Sequence, residues 1–593
     1  MSRRRPAPRR SLAVALAVVA VGGAAAAAPA AAAEIPAKPF EPAPLGARPP
    51  ASLAERAAVA SVALAPSRLM VTLADLPSPA VARRRLDALG SVAPLVPEAG
   101  VWSVAPRDRR TARRRALAVE GAVGAEWSLS RSSDVLARPD APTPLGPVGP
   151  FTDPLFTADR QWGLFQTGLW APEITGQAGR PTIAILDSGI DAGHEEWRGP
   201  GSPLVAPRST IRRNANAGDW ARSGHGTHVA GIAAAPANGL GVVGVAPAAG
   251  GAAAVMPVQI ADAAGRSTDE TMIRGIRWAV RRGARVVNIS AGGPGFSTAF
   301  QAVVLWATDR GALIVSSVGN EGDLENGLNY PAGYQRVLGV GAQCDAQLTL
   351  DCPRRFGVAR FSNHNASVDV VAPGVNVISS LPARVAERVV VPGYGLKDGT
   401  SMAAPYAAGV AALSQANNGG GLSPDQLRRH LENTATDLGT PGRDDRAGHG
   451  AVNARAAVTL RAPADDLEEV NDDIKYVDVT RRPVRGRPFV LDAFIDEHDD
   501  REDVYAVHLR KGQRLRAQLT HRRGQIDLYL WRPGTRTVST DPPGNLKRNA
   551  IEFSGRNGRR ESVDFVAKRT GRHYLNPFAR AGEDGYRLRI RVT

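Results

Sequence analysis

The chain has 593 residues, a hydrophobic content of 43% and a formal net charge of +16. This length allows about three or four domains with sizeable cores. Most of the excess positive charge lies outside residues 151–460, and no basic-aromatic pattern accompanies it, so nothing indicates nucleic-acid binding. No stretch beyond residue 33 reaches the length of a membrane helix, so we expect no stable membrane span.

The N-terminus has the composition of a secretory signal peptide. Five arginines within the first ten residues precede the apolar run Leu12–Val21, and the triplet at 31–33 offers an A-x-A cleavage site. We therefore expect residues 1–33 to be removed and the protein to be secreted. The arginine pair at positions 9 and 10 leaves both the Sec and the twin-arginine export routes open.

Residues 34–150 divide into three parts. Residues 34–66 are rich in Pro and Ala and are predicted to be extended, and residues 139–150 carry five prolines and are predicted to be an exposed connector. Residues 67–138 alternate short strands with helices, which predicts a small α+β domain. Its predicted strands are Leu69–Leu73, Val101–Val104 and Ala125–Leu129, and its predicted helices are Ala80–Leu89 and Arg109–Val119.

Three motifs stand in the segment 151–460. An apolar strand at 182–186 ends in Asp187-Ser188-Gly189, GHGTHVAG occupies 224–231, and GTSMAAP occupies 399–405. An uncharged stretch follows the third motif, which predicts a buried helix with Ser401 at its N-terminus and Pro405 in its first turn. Free backbone N–H groups and the helix dipole at that point suit a developing negative charge.

With the three motifs in this order, residues 150–460 strongly resemble the subtilisin-like serine proteases, peptidase family S8. The resemblance implies a serine-type endopeptidase that hydrolyses polypeptides through an acyl-enzyme. Ser401 would be the nucleophile, His225 its general base and then acid, and Asp187 would orient the imidazole and stabilise its charged form. The resemblance makes the second histidine of the motif, His228, a structural residue.

The resemblance also assigns an oxyanion hole. Asn320 follows the apolar strand 313–318, and its side-chain amide would act together with the backbone N–H of Ser401. An asparagine at a strand end is otherwise ordinary turn chemistry. The runs 182–186, 286–290 and 313–318 are interpreted as continuous runs of β-branched or apolar residues, which predicts a parallel sheet buried on both faces with its site at the carboxyl ends of the strands.

Substrate-binding residues follow from the same resemblance. Ser290, Ala291 and Gly292 would form an exposed edge that pairs with an extended peptide. Glu321 and Asn329 would lie near the pocket for the residue before the scissile bond, which would then accept basic and polar side chains. The alternative for the edge segment is an ordinary glycine-rich turn.

A structural Ca²⁺ ion is implied as well. The loop 235–242 has the length and pattern of the family's calcium loop, and the implied ligands are Asp153, Glu196 and Asn238. The family usually has Asp at the position of Glu196, so the side chain here is longer. The alternative is a surface loop with an unrelated acidic neighbour.

The small domain at 67–138 resembles the family's propeptide, which inhibits its own enzyme and assists its folding. We therefore expect a self-processed preproenzyme, cleaved within 139–150 and monomeric when mature. The only two cysteines, Cys344 and Cys352, flank a short loop and are predicted to form a disulfide in the oxidising environment outside the cell.

The composition changes after residue 460. Residues 461–475 are predicted to be an acidic linker, and residues 476–593 contain short alternating strands that predict a β-sandwich. This last segment resembles the bacterial prepeptidase C-terminal domain. Its acidic run, Asp496–Asp503, is interpreted as a solvated charge run rather than a calcium site.

The predicted fold class is therefore α/β: a subtilisin-like three-layer domain with a mostly parallel sheet, preceded by a small α+β propeptide and followed by an all-β sandwich. Two other functions stay open on the sequence. One is a catalytically inactive relative that only binds. The other is a surface adhesive protein that acts through the β-sandwich.

Overall fold

The computed structural model describes a defined part of the chain: residues 69–72, 79–86, 90–106, 126–129, 151–169, 181–198, 202–248, 253–349, 352–466, 469–474, 477, 489–538, 545–555 and 558–593. The predicted signal peptide, the Pro/Ala-rich segment, the connector 139–150 and the predicted helix Arg109–Val119 lie outside these residues. None of the described helices combines the length and the apolar character needed to cross a membrane.

The first described segment forms a small antiparallel sheet with strand order β1-β3-β2. Its elements are β1 (Leu69–Thr72), helix α1 (Pro79–Leu86), β2 (Gly90–Val96) and β3 (Val101–Pro106). Strand β2 was not predicted from the sequence. It contains Pro94, which is unusual in a strand, and a shift in register between Pro94 and Val96 accommodates it. A further strand, β4 (Glu126–Leu129), pairs elsewhere in the molecule.

A central sheet with both faces covered organises the middle of the chain. Its strands are β5 (Thr182–Asp187), β6 (Arg208–Ser209), β7 (Ala254–Gln259), β9 (Val286–Ile289), β11 (Leu313–Ser317), β12 (Val337–Cys344), β13 (Gly357–Val358) and β14 (Val370–Pro373). The order is β13-β12-β11-β9-β5-β7-β6, with β14 also on β12, and only β13 is antiparallel to its neighbour.

Successive residues of β5 enter different cores. Ile183 and Ile185 belong to the core on one face of the sheet, and Ala184 and Leu186 belong to the core on the other. This alternation is the reason that the strand reads as continuously apolar, because both of its faces are buried. The predicted three-layer α/β class is confirmed.

Helices cover the two faces of the central sheet, and short strands complete its rim. The helices are α2 (Pro154–Thr157), α3 (Trp162–Gln166), α4 (His225–Ala234), α5 (Val245–Ala248), α6 (Asp269–Arg281), α7 (Thr298–Asp309), α8 (Thr400–Asn417), α9 (Pro424–Thr434) and α10 (Ala454–Thr459). The rim strands are β8 (Arg266–Thr268), β10 (Ala291–Gly292), β15 (Val377–Ser380), β16 (Val389–Val391) and β17 (Tyr394–Lys397).

Helix α8 begins at Thr400, so Pro405 lies one turn further in than the sequence predicted. A proline at this position removes the N–H that would bond to the carbonyl of Ser401. The Ser290 hydroxyl donates to that carbonyl instead, at 2.9 Å. The helix therefore tolerates an internal proline because a side chain of the substrate edge replaces the missing donor.

The last part of the chain is a β-sandwich, as predicted. One sheet has the order β18-β25-β20-β23 and the other β19-β24-β21-β22, all antiparallel. The strands are β18 (Phe489–Asp496), β19 (Tyr505–Leu509), β20 (Arg514–His521), β21 (Gln525–Trp531), β22 (Ala550–Ser554), β23 (Arg560–Val566), β24 (Gly571–Ala581) and β25 (Glu583–Val592), with the short helix α11 (Asn545–Asn549) before β22. Strands of both sheets contribute to one apolar core.

The acidic run at the start of the sandwich is not a solvated charge run. Asp496, Asp499, Asp500 and Asp503 are at most 8% exposed. Two arginines of the α/β domain explain the difference: Arg428 is bonded to Asp496 and Asp499, and Arg336 to Asp500. A buried charge needs such a partner, and these partners are far away in the sequence.

Candidate active site

Asp187 and His225 meet at the carboxyl edge of the central sheet. Asp187 is the last residue of β5 and is fully buried, and His225 is the first residue of α4. The His225 Nδ1 atom lies 2.8 Å from Asp187 Oδ1 and 3.0 Å from Oδ2. This bond fixes the plane of the ring, and the other ring nitrogen, Nε2, is buried with no hydrogen-bond partner among the described residues.

Close packing of backbone brings these two residues together. Gly226 lies against β5, because a Cβ atom there would be 2.2 Å from the Gly189 carbonyl oxygen and 3.1 Å from Asp187 Cβ. Gly224 caps α4 with φ +62°, a conformation that L side chains rarely adopt. The glycines of the histidine motif thus allow the helix to begin directly beside the aspartate.

Ser401 is the second residue of α8 and is buried. Its Oγ atom lies 3.3 Å from the Ser290 carbonyl oxygen, and its own carbonyl accepts the Ser290 hydroxyl. The residue before the helix, Gly399, has φ 142°, so the chain turns sharply into its first turn. The hydroxyl therefore sits at the N-terminus of a long helix, as predicted, beside the end of the substrate edge.

Asn320 lies next to this serine. Its side-chain Oδ1 atom accepts from the Thr400 backbone N–H and hydroxyl, both at 2.9 Å. The amide oxygen is held in this way, and the Nδ2 group is the donor of the side chain. The structure thus brings Asn320 to the residue adjoining Ser401.

The predicted substrate edge contains β10, which is antiparallel to β4 and forms a three-stranded sheet with order β10-β4-β8. In this register Ala291 lies opposite Leu129 and Gly292 opposite Ser128. A strand of the chain's own N-terminal region therefore occupies the position between two edges of the α/β domain. The sequence predicted that this strand belongs to the small N-terminal domain, and its pairing with β8 and β10 was not predicted.

Comparison with known proteins identifies the family of this chain. The model of the subtilase family, Peptidase_S8, matches residues 179–450. Subtilisin BL of Lederbergia lenta is 36% identical over 297 residues, which are 50% of this chain and 97% of that protein. This chain belongs to the subtilase family. It is a subtilisin-like serine endopeptidase that acts on polypeptides.

Other subtilases give a consistent result. Subtilisin E of Bacillus subtilis strain 168 is 36% identical over 277 residues, covering 46% of this chain and 65% of that protein. The crystal structure of fervidolysin from Fervidobacterium pennivorans, a keratinolytic enzyme related to subtilisin, aligns with a TM-score of 0.57 and 22% identity over 84% of this chain and 85% of that one. The second likeness concerns the fold alone.

In this subtilase a buried carboxylate that sequence analysis missed supports the histidine helix. Asp219 accepts from the Ser188 hydroxyl at 2.9 Å, and from the Thr227 N–H and hydroxyl at 3.0 and 2.7 Å. Ser188 in turn accepts from the Gly226 N–H. Ser188 belongs to the Asp187 motif and Thr227 to the His225 motif, and their positions there were the only signal in the sequence. Neither motif by itself shows that its hydroxyl bonds to a third residue.

His228 has the structural role that the resemblance implied. It is fully buried, its Nε2 atom lies 3.1 Å from the Gly395 carbonyl oxygen, and burial lowers its pKa well below the ordinary value. It is therefore a neutral imidazole at working pH and cannot be confused with His225.

The two predicted pocket residues of the subtilase differ in environment. Asn329 is buried, donates to the Ser317 carbonyl at 3.3 Å and contacts Gly292, where a Cβ atom would be 2.2 Å from Asn329 Nδ2. Glu321 is exposed, and its carboxylate accepts the backbone N–H of Asn320 at 2.9 Å. Both residues thus lie beside the predicted edge or oxyanion residues.

Asp153, Glu196 and Asn238 also come together, as predicted. Asp153 Oδ1 accepts the backbone N–H groups of Asn238 and Gly239, and Glu196 accepts the N–H of Val242 and the Asn238 side-chain amide. The Asp153 Oδ2 atom is buried, and none of the described residues forms a hydrogen bond with it. For calcium to bind here, these N–H groups must turn away, so calcium at this loop stays a prediction.

Two further groups of buried carboxylates have the spacing to hold a metal ion. They are Asp369, Glu432 and Asp499, and Asp466, Glu469 and Asp503. Both lie where the α/β domain meets the β-sandwich. The predicted disulfide is present, with Cys344 and Cys352 joined across the loop that follows β12.

Proposed function

We propose that Ser401, His225 and Asp187 form the catalytic triad of this endopeptidase. The observation that carries the proposal is the hydrogen bond from His225 Nδ1 to Asp187, which presents Nε2 as a base at the edge where α8 brings Ser401. His225 would take the serine proton during attack on the peptide carbonyl and give it to the leaving amine. Water would then release the acyl group by the reverse sequence of proton transfers.

The oxyanion of the tetrahedral intermediate would be held by the Asn320 side-chain N–H and the backbone N–H of Ser401. Thr400 supports this role because it fixes the Asn320 amide oxygen and so presents the nitrogen. Donors held in place before the reaction stabilise charge without reorganisation at the moment of attack. The helix dipole of α8 would add to this field.

Substrates would bind as an extended strand between β10 and β8. Ser290, Ala291 and Gly292 would supply one edge, and Glu321 and Asn329 would border the pocket for the residue before the scissile bond. The exposed carboxylate of Glu321 favours basic side chains there. The position of β4 supports this mode of binding, since it already uses both edges in the antiparallel sense.

The N-terminal domain would act as the enzyme's own inhibitor. Its residues Leu95 and Val101 share a core with Ile276 of α6 and Phe300 of α7. Glu98 is also paired with Arg277 and Arg281 of α6. These contacts support a domain that docks on the two helices while β4 fills the substrate groove.

We further propose that the enzyme is secreted and processes itself. Asp153, Glu196 and Asn238 would bind calcium once the backbone N–H groups of the loop turn away.

Replacement of the serine tests this function. Ser401→Ala should abolish hydrolysis of a peptide substrate and leave the chain uncleaved, since loss of this serine costs subtilisin about 2 × 10⁶ in turnover. The measurements are peptide hydrolysis and the intact mass after expression in a protease-deficient host. An alanine variant that matures at the normal rate would disprove self-processing, and normal hydrolysis by it would disprove the triad.

A further inference from the structure

A second site lies at the junction of the α/β domain and the β-sandwich, far along the chain from the active-site motifs. It consists of Asp466, Glu469 and Asp503, whose nearest carboxylate oxygens all lie within 4.8 Å of one another. We call these three residues the junction site. Asp466 and Glu469 belong to the segment that leaves the α/β domain, and Asp503 immediately precedes the first strands of one sandwich sheet.

The junction site belongs to a strongly acidic surrounding. Arg336 of the α/β domain has a fully buried side chain and is bonded to Asp425, Glu469, Asp472 and Asp500. Its four partners and the junction site together contain six carboxylates, since Glu469 belongs to both groups. Arg336 contributes one positive charge beside them. Carboxylates taken out of water at this density repel one another strongly unless further positive charge lies among them.

Two buried polar groups that lack partners within the described part of the chain point to a ligand at this place. Asp503 is fully buried; one of its oxygens accepts the Tyr586 hydroxyl, and the other, Oδ1, has no hydrogen-bond partner among the residues that the structure describes. Asn471 is 1% exposed, and neither atom of its side-chain amide is bonded to any of these described residues. A buried polar group left unsatisfied costs about 1–3 kcal/mol, so such groups ordinarily have a partner.

Asn471 lies between members of the junction site. Its backbone N–H donates to Glu469 at 3.2 Å, and its carbonyl accepts the N–H of Val504, the residue after Asp503, at 2.9 Å. An amide oxygen is a ligand of the same hard type as a carboxylate oxygen. Asn471 is therefore a fourth candidate ligand that is independent of the acidic residues.

We propose that Asp466, Glu469, Asp503 and the Asn471 side-chain oxygen bind one calcium ion. Calcium binds oxygen at about 2.3–2.6 Å, so oxygens on opposite sides of it are roughly 4.6–5.2 Å apart, in keeping with the spacing here. Magnesium requires shorter bonds of about 2.0–2.1 Å in a strict octahedron, and zinc prefers nitrogen and sulfur ligands. The ion joins the segment that leaves the α/β domain to the sandwich, beside Arg336. It therefore fixes the orientation of the sandwich relative to the α/β domain.

Calcium binding by the full-length chain tests the proposal directly. The parent for all variants carries Ser401→Ala, which prevents self-digestion and makes the test independent of the proposed catalysis. After decalcification with a chelator, calcium chloride is titrated by calorimetry, and bound calcium is counted by elemental analysis. We expect Asp503→Asn to bind one calcium fewer per chain than the parent.

Two control variants separate the junction site from other calcium. Asn238→Ala changes only the loop near Asp153 and should leave the junction ion in place. Asp564→Asn removes an exposed carboxylate of the same sandwich and should match the parent. Should Asp503→Asn fail to fold by circular dichroism, Asn471→Ala, which removes no charge, should still weaken calcium binding at least tenfold.

A protease added from outside gives a second readout. Trypsin can cut this segment only after Arg461 and after Lys475. Calcium should protect these two bonds in the parent and chelator should expose them, whereas Asp503→Asn should be cut there with or without calcium. The proposal is overturned if Asp503→Asn and Asn471→Ala both bind calcium with the stoichiometry and affinity of the parent. It is also overturned if the folded parent binds no calcium with a Kd below about 1 mM, the weak end for extracellular calcium modules.

Discussion

Ser401 illustrates how a single residue depends on its immediate neighbours. Its carbonyl has no backbone N–H partner in the helix, because residue 405 is a proline, and it accepts the Ser290 hydroxyl instead. The residue before it, Thr400, donates its backbone N–H to the side-chain oxygen of Asn320. The proposed nucleophile is therefore linked to both the proposed substrate edge and the proposed oxyanion donor. Because these links are hydrogen bonds of fixed geometry, small substitutions at Asn320 should act on the reaction rather than on the fold.

Replacement of Asn320 separates the oxyanion hole from the triad. With Asn320→Leu we expect kcat to fall by about 10²–10³ with KM little changed, the effect that loss of one such donor has in subtilisin, because the charge appears only in the transition state. Asn320→Asp is the sharper variant, since it keeps an oxygen for Thr400 and lacks the donor. Steady-state kinetics on a peptide substrate is the measurement, and near-normal kcat in both variants would reduce Asn320 to a turn residue.

A second prediction concerns Glu196. Burial raises its pKa from 4.5 to about 7, and the nearby Asp153 carboxylate adds to the rise. The folded state therefore keeps this proton to a higher pH than the unfolded state, so the stability that the group contributes is present at low pH and is lost between about pH 4.5 and 7.

In calcium-free protein, Glu196→Gln should remove this pH dependence. The loss of unfolding free energy between pH 5 and pH 8 should shrink by about 2–3 kcal/mol relative to the parent. Urea unfolding of the Ser401→Ala parent with chelator measures it, and Glu195→Gln is the neighbouring control. An unchanged difference between the two pH values would mean that Glu196 is ionised throughout.

At the scale of elements, the strand pairing of β4 predicts where the chain cuts itself. Leu129 lies opposite Ala291, and the residue before Ala291, Ser290, has its carbonyl oxygen 3.3 Å from Ser401 Oγ. We predict that the pairing register of β4 continues for one more residue, to Ser290. The peptide bond after Ser130 is then the first that this register carries to the nucleophile. We expect the first mature N-terminus at Arg131, upstream of the predicted processing region 139–150.

N-terminal sequencing checks this cut. The slow Asn320→Leu variant, sampled early, should show the first product before later trimming. Ser128→Pro removes one backbone donor from the centre of the three-stranded sheet and should slow the cut or move it. An earliest N-terminus within 139–150 would show that β4 does not set the register of cleavage.

At the scale of the whole molecule, two buried arginines make the sandwich part of one folded unit with the α/β domain. Arg428 forms ion pairs with Asp496 and Asp499. Arg336 forms ion pairs with Asp500 and with two carboxylates of the segment between the two domains, Glu469 and Asp472. Burial and the negative charge of Asp496 and Glu432 raise the pKa of Asp499 to about 7, although Arg428 opposes this rise. The junction is thus an ionic interface, where the sequence had predicted an acidic linker.

Removal of one of these arginines should be severe. Arg336→Met leaves several buried carboxylates without their partner and should lower the free energy of unfolding by about 3–5 kcal/mol. Arg587→Met removes an exposed pair with Asp492 and should leave the urea midpoint nearly unchanged. Equal midpoints for the two variants in the Ser401→Ala parent would show that the junction contributes nothing to stability.

The sequence alone determined those features that depend on short sequence motifs and local patterns of apolar residues. Asp187, His225 and Ser401 each stand in a motif whose glycines and small residues dictate a local turn into or out of an element. The doubly buried strand β5 and the alternating strands of the sandwich also follow from local patterns of apolar residues. These features need no knowledge of distant residues, which is why the fold class and the candidate site could be predicted.

Only the tertiary structure decided what depends on residues far apart in the chain. Glu126–Leu129 looks like any short strand, and its place between β8 and β10 follows from backbone pairing with both of them. Asp219 gains its role from hydroxyls on two other elements. The run Asp496–Asp503 has the composition of a solvated surface and is buried because arginines more than sixty residues away reach it. Hydrogen bonds and ion pairs across such distances leave no periodic trace in a sequence.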